Sequence, residues 1–133
     1  MVIADTGFWL ALANRQDRWH RVSTDWLAGS DEPLVTTWPV ITETCHLLLN
    51  RLGESAQSAF VKSLDDGVAE LFTLEQRHLL RIIELIDQYA DLPMDLADAS
   101  LVIMAETLGQ GRIVSTDERD FRTYRWKRHR PFE

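Results

Sequence analysis

The chain has 133 residues, the usual length of one compact domain, and 45% of them are hydrophobic, which excludes intrinsic disorder. Its single cysteine, Cys45, excludes an intrachain disulfide and indicates a reducing, intracellular setting. A net charge of −7 at pH 7 argues against a protein that binds nucleic acid through bulk positive charge alone.

The first half of the chain alternates short apolar runs with helical patterns. Residues 1–4 and 34–37 are predicted to be buried strands. Helices are predicted around and between them, over residues 8–14, 19–28, 39–52 and 55–64. The apolar run near the N-terminus is too short for a signal peptide and lacks its basic residues, so we expect a cytoplasmic protein with no membrane span.

The second half continues the alternation. Strands are predicted at residues 69–74, 113–114 and 124–126, and helices at residues 75–89 and 95–108. The first of these helices has its apolar residues at helical spacing, namely Leu79, Ile82, Ile83, Ile86 and Tyr89. Strands separated by helices imply crossover connections. We therefore predict an α/β/α sandwich, with a short, mainly parallel sheet flanked by helices, as a single domain over residues 1–133.

Four acidic residues occupy positions that suggest a shared site. Asp5 and Asp117 each follow a predicted strand, and parallel strands place such residues at one edge of the sheet. Glu43 and Asp98 lie on the apolar faces of their helices. Buried carboxylates repel one another and need a partner, which a divalent cation supplies. Oxygen ligands suit Mg²⁺ or Mn²⁺ and indicate phosphoryl-transfer chemistry.

Each acid also has a purely structural interpretation. Asp5 could cap the helix that follows it, and Glu43 could be favoured near a helix N-terminus by the helix dipole. Asp95 and Asp98 have the spacing of a capping box, with Asp95 as the N-cap, and that interpretation is favoured for Asp95. Asp117 could cap a short turn. The combination of acids, rather than any single one, predicts the site.

The ordered motifs resemble the PIN domain along essentially the whole chain. The residues that carry the resemblance are the first strand with Asp5-Thr6-Gly7, then Thr42-Glu43, the run from Asp95 to Ala99, Ser115-Thr116-Asp117 and Asp120-Phe121. More narrowly, the chain is similar to the VapC-type toxins of bacterial toxin–antitoxin pairs. Segments 17–20 and 93–95 also resemble that group.

The resemblance implies endonucleolytic cleavage of RNA that depends on Mg²⁺, for which Mn²⁺ substitutes. The family acids match Asp5, Glu43, Asp98 and Asp117. In the mechanism that we hypothesise, Asp5, Asp98 and Asp117 hold the metal, and Glu43 holds a second metal or orients the attacking water. In-line attack would leave a 5′-phosphate and a 3′-hydroxyl. The resemblance also implies a homodimer and a cognate antitoxin protein that blocks the site.

Further residues around these acids are secondary candidates. Asp120 competes with Asp117 for the place of the fourth acid, and Asp95, Thr6 and Ser115 lie close to the others in sequence. Half of all Lys and Arg residues occur from Arg112 onward. This basic stretch is either a solvated surface or a path for the RNA backbone, with Arg119 and Arg122 as candidate RNA contacts.

Other functions are less compatible with the sequence. A dehalogenase-type phosphohydrolase needs a second Asp two residues after Asp5, where Gly7 stands. A housekeeping RNA-processing PIN nuclease and a non-catalytic PIN-fold binding module remain as alternatives. The tryptophans are read as anchors of the core or of a dimer interface in preference to base-stacking platforms; they are Trp9, Trp19, Trp26 and Trp38.

Overall fold

The computed structural model describes residues 1–92 and 94–116, together with the backbone of residues 125–126 and 130–131. The strands are β1 (Val2–Ala4), β2 (Leu34–Thr37), β3 (Ala69–Phe72), β4 (Ile113–Val114), β5 (Arg125–Trp126) and β6 (Arg130–Pro131). The helices are α1 (Thr6–Ala13), α2 (His20–Gly29), α3 (Trp38–Arg51), α4 (Glu54–Asp65), α5 (Leu79–Gln88) and α6 (Leu96–Leu108). A 3₁₀ turn, Gln76–His78, precedes α5.

A four-stranded parallel sheet forms the centre of the fold, with the strand order β3-β2-β1-β4. Both β1 and β2 are buried along their whole length, which explains why neither alternates apolar and polar residues. The helices pack in the order that the crossovers require: α1 contacts α2 and α3, and α5 contacts α6. The predicted α/β/α sandwich with a mainly parallel sheet is confirmed.

The strand order reverses at β1. From β1 the chain proceeds to β2 and β3 on one side, and it returns to place β4 on the other side of β1. Ligand sites of such sheets lie outside the carboxyl ends of the strands at this switch point. The register pairs Ala4 with Val114, so Asp5 and Ser115 leave the sheet at the same level.

Helix α6 is the central helix of the fold. Eight of its residues are buried, and it contacts β2, α3 and α5. The last turn of α6 is held against α5 by Arg81, whose guanidinium donates two hydrogen bonds of 2.9 Å to the carboxylate of Glu106. Paired hydrogen bonds of this geometry hold a planar guanidinium in one orientation. The helix is therefore held on several sides, and its first turn has a fixed position relative to the sheet.

Helix α5 departs from its predicted form in two respects. The predicted helix over residues 75–89 begins instead with the 3₁₀ turn, and its apolar residues do not form one buried face. The residues that enter the core are Ile82, Leu85 and Tyr89. A second set, which we call the α5 apolar face, is 42–76% exposed and consists of Leu79, Leu80, Ile83 and Ile86. Helical periodicity located the helix but could not separate these two faces.

The last predicted strand, residues 124–126, corresponds to β5. This strand pairs antiparallel with β6 and forms a separate two-stranded sheet, so it does not extend the parallel sheet. In the part of the chain that the structure describes, no helix is long and apolar enough to cross a membrane.

Candidate active site

A cavity of about 390 Å³ opens at the carboxyl edge of the sheet, beside the switch point. Its wall contains three of the four predicted acids, Asp5, Glu43 and Asp98, together with Asp95 and Thr6. The structure thus brings together residues that lie up to 93 positions apart in the sequence. The candidates Asp117, Arg119, Asp120 and Arg122 lie outside the described residues, although Thr116 lines the cavity.

Both carboxylate oxygens of Asp5 accept hydrogen bonds, and one of these bonds is the predicted helix cap. One carboxylate oxygen, Oδ1, accepts a hydrogen bond of 3.0 Å from the backbone N–H of Phe8 and so caps α1. The other, Oδ2, accepts from the hydroxyl of Ser115 at the end of β4. The residue is only 5% exposed. Hydrogen bonds to both oxygens offset the cost of burying this charge and fix the carboxylate at the cavity wall.

Glu43 extends from α3 into the same cavity, where it is half-buried. The pKa of its carboxyl is raised to about 7, first by burial and then by a hydrogen bond with Asp95, while a hydrogen bond from Thr6 acts in the opposite direction. The charges of Asp95 and Asp5 add to the increase. Burial and the nearby carboxylates thus favour the protonated form of Glu43 at a higher pH than for a free glutamate.

The first turn of α6 contributes the remaining carboxylates. Asp95 is the N-cap, as predicted, and its side chain accepts a hydrogen bond of 2.8 Å from the backbone N–H of Asp98. Asp98 is half-buried and also lines the cavity. Asp95 therefore has two functions, because it caps the helix and also makes the contact with Glu43.

Two buried hydroxyls that sequence reasoning missed hold α3 against α6 beneath the cavity. Thr37 is the N-cap of α3, and its Oγ1 lies 2.6 Å from Oγ of Ser100. Ser100 donates its only proton to the carbonyl of Ala97, so Thr37 must be the donor between the two hydroxyls. Both side chains are wholly buried. The position of Thr37 before a predicted helix start was the available signal, but no sequence pattern indicates its partner.

Gly7 allows the segment after β4 to approach α1 closely. A Cβ atom at this position would lie 2.2 Å from Oγ1 of Thr116, well inside van der Waals contact. The absence of a side chain therefore leaves room for Thr116 directly over the first turn of α1. This contact brings Thr116 to the edge of the cavity.

The donor set fits a hard divalent cation. Every charged side chain that the described residues contribute to the cavity wall is a carboxylate, and oxygen ligands are those that Mg²⁺ and Mn²⁺ prefer. Within residues 1–92 and 94–116, no three acidic, His or Cys side chains are already close enough to hold one ion. Mg²⁺ sites commonly use one or two carboxylates and complete the shell with water and substrate phosphate, so three converging ligands are not required.

Comparison with known proteins agrees with this architecture. The family model of the PIN domain matches residues 2–127. The chain belongs to the PIN domain family. Ribonuclease VapC26 of Mycobacterium tuberculosis strain H37Rv is 26% identical to this PIN domain over 124 residues, which are 93% of this chain and 92% of the relative.

A solved structure shows the same fold. The crystal structure of VapC20 of Mycobacterium tuberculosis, a sarcin-ricin loop cleaving toxin, superposes with a TM-score of 0.82 at 22% identity. The match covers 90% of this chain and 92% of VapC20. The resemblance to VapC-type PIN proteins is therefore confirmed.

The raised pKa of Glu43 predicts a pH-dependent stability of the metal-free protein. The folded state holds this proton up to about pH 7, whereas the unfolded chain releases it near the ordinary value of 4.5. The stabilising contribution is thus complete below about pH 4.5 and is lost as the pH rises through 7. Since the carboxyl is partly solvated, screening limits the change to about 1 kcal/mol.

Urea unfolding in the presence of a chelator tests this prediction. The wild type should lose about 1 kcal/mol of its free energy of unfolding between pH 5 and pH 8, whereas Glu43→Gln should lack this loss. The difference between the two proteins should therefore grow by about 1 kcal/mol over this range, in favour of the variant. Asp95→Asn, which keeps a competent N-cap, should remove part of the same pH dependence. A difference between Glu43→Gln and the wild type that is constant across this range would contradict the assignment.

Proposed function

We propose that this PIN domain is a Mg²⁺-dependent endoribonuclease, with Mn²⁺ able to substitute, and that it is the toxin of a toxin–antitoxin pair. The observation that carries the proposal is the gathering of Asp5, Glu43, Asp95 and Asp98 around one cavity at the switch point of the sheet. The name of the relative VapC26, a ribonuclease, supports RNA as the substrate. Residues 1–133 would form a single catalytic domain.

The proposed roles follow from the position of each side chain. Asp5 and Asp98, with Asp117 or Asp120 as the further acid, would hold the metal. When bound, the metal would polarise the phosphodiester and stabilise the negative charge that develops on it. Asp5 is suited to a fixed position because Phe8 and Ser115 already orient its carboxylate.

Glu43 is the proposed proton acceptor. A carboxyl with a pKa of about 7 exchanges a proton readily at neutral pH, as general acid–base catalysis requires. Glu43 would orient the attacking water and take up its proton, while Thr6 holds the carboxylate in place through its hydrogen bond. In-line attack of water on the phosphodiester would leave a 5′-phosphate and a 3′-hydroxyl. Ser115 would act indirectly, by fixing Asp5.

The proposed partners are RNA, a cognate antitoxin and a second copy of the chain. The similarity to VapC26 and to the toxin VapC20 supports the toxin role, and a toxin that cleaves RNA would act in the cytoplasm. The α5 apolar face supports a homodimer, because four neighbouring apolar side chains that are 42–76% exposed are characteristic of an interaction surface. Arg119 and Arg122 are the proposed contacts to the RNA backbone.

Asp5→Asn and Asp98→Asn should each lower metal-dependent RNA cleavage by roughly 100-fold or more, because each removes a proposed metal ligand. Asn also serves as an N-cap, so α1 should remain capped in Asp5→Asn. Cleavage of a labelled RNA is measured with Mn²⁺, and again with a chelator.

Asp87→Asn is the matched control, since Asp87 is an exposed acid on α5, outside the cavity. It should cleave at the wild-type rate. A folded Asp98→Asn protein, free of wild-type contamination, that cleaves as fast as the wild type would refute the assignment. Undiminished cleavage in the chelator would refute the metal dependence.

Induced expression of the wild-type chain in a bacterial host should arrest growth, whereas the Asp98→Asn variant should not. Co-expression of the small reading frame adjacent to the gene should restore growth, because a toxin is encoded beside its antitoxin. Growth that is unaffected by the active enzyme would instead favour a housekeeping RNA-processing nuclease. Colony counts and total RNA profiles measure both outcomes.

Ile83→Glu should convert the proposed dimer to a monomer, because it places a charge at the centre of the α5 apolar face. Sedimentation velocity measures the change. Val61→Glu is the control, since Val61 is 47% exposed on α4, outside that face. A wild-type monomer, or equal effects of both substitutions, would exclude this face as the dimer surface.

A further inference from the structure

Trp38 presents an exposed indole at the rim of the acidic cavity. It is the first residue of α3, directly after the N-cap Thr37, and 54% of it is exposed. By contrast, Trp9 is 2% exposed and packs against Phe8 and Phe60 in the core. An exposed indole beside a candidate active site is available to stack on a ligand.

The indole lines a groove that is continuous with the cavity. This groove has a volume of about 590 Å³ and is lined by Trp38, Pro39, Thr42, Glu43, His46, Asp95, Leu96 and Ala97. Glu43, Asp95 and Ala97 also line the acidic cavity. A molecule whose reacting group occupies the cavity would therefore extend into the groove. Leu96, which is 51% exposed, adds a second apolar surface there.

The charges around the two concavities determine what kind of contact can bind RNA. Their described lining residues include four carboxylates and neither Lys nor Arg. Phosphate contacts with these residues would be repulsive in the absence of a metal, so these lining residues can contribute affinity only through contacts that do not depend on charge. Stacking of a base on an aromatic ring supplies such a contribution and tolerates any of the four bases.

We propose that the Trp38 groove is a subsite for an unpaired nucleobase that flanks the scissile phosphate. This inference rests on the proposed ribonuclease function and assigns the contact with that base to the indole of Trp38. A base within a duplex has both faces covered by its neighbours and cannot stack on the indole. The subsite would therefore discriminate unpaired bases from paired ones, and it would not discriminate among the four bases.

The first experiment measures binding and does not depend on cleavage. In an Asp98→Asn background, the dissociation constant of a labelled single-stranded RNA should rise about 5- to 100-fold on Trp38→Ala. Trp38→Phe should retain most of the affinity, because it keeps an aromatic face. Trp19→Ala is the control, since Trp19 is 40% exposed and lines neither concavity. Equal affinities for the Trp38→Ala and Trp19→Ala proteins would overturn the proposal.

The second experiment uses cleavage by the otherwise wild-type protein. Trp38→Ala should raise KM with little change in kcat, because the contact is made equally before and during the reaction. Replacing the nucleotide on one side of the cleaved bond by an abasic residue should raise the KM of the wild type by a similar factor. The same replacement should not raise the KM of Trp38→Ala further. If the abasic replacement on either side of the cleaved bond and Trp38→Ala instead raise KM independently, so that their effects multiply, the subsite is contradicted.

Failure of the Trp38 subsite and failure of the proposed ribonuclease function give different results. If the wild type cleaves RNA and Trp38→Ala behaves like the wild type, the subsite is wrong and the ribonuclease stands. If no protein cleaves RNA but Trp38→Ala loses RNA affinity, the subsite stands and the enzymatic function fails. If Trp38→Ala instead turns a wild-type dimer into a monomer in sedimentation velocity, the occupant of the groove is a second copy of the chain, and the proposal is overturned.

Discussion

The carboxylate of Asp5 is the interaction on which the site depends. It is almost wholly buried, and it is held from two directions, by the backbone of α1 and by the hydroxyl of Ser115 after β4. The parallel register makes this arrangement possible, because it ends β1 and β4 at the same level. A single charge thereby joins the start of the first helix to the end of the fourth strand. The cavity is formed around this junction.

The other carboxylates are placed by helix N-termini that converge on the same edge. Asp95 caps α6, Thr37 caps α3, and the buried contact between Thr37 and Ser100 holds the two helices together. The result brings Glu43 against Asp95, which is electrostatically unfavourable unless a proton or a cation is present. Carboxylates that destabilise the fold by their mutual repulsion are expected where a protein retains charged groups for chemistry.

Much of the fold could be predicted because the first strand is a short apolar run that ends at turn residues, at residues 1–4, and because the long helices have clear periodicity. The faces of α5 could not be assigned, since apolar residues such as Ile82 and Ile83 are adjacent in sequence and only packing separates them. Asp5 could be placed from its position after a strand. The contacts of Glu43 with Asp95, and of Thr37 with Ser100, join different helices, and no local pattern encodes such pairs.

The separation of Asp5 and Ser115 has a consequence for biosynthesis. Their hydrogen bond closes a loop of 110 residues, so it cannot form until nearly the whole described chain has been made. A nascent chain that ends within α6 already contains Asp5, Glu43 and Asp98 but lacks β4, and one oxygen of Asp5 then has no hydroxyl to hold it. Since ribosomes add about 5–20 residues each second, a delay of about a second separates synthesis of the acids from completion of the edge that orients them. The carboxyl edge of the sheet is therefore completed only after β4 has been synthesised and paired with β1.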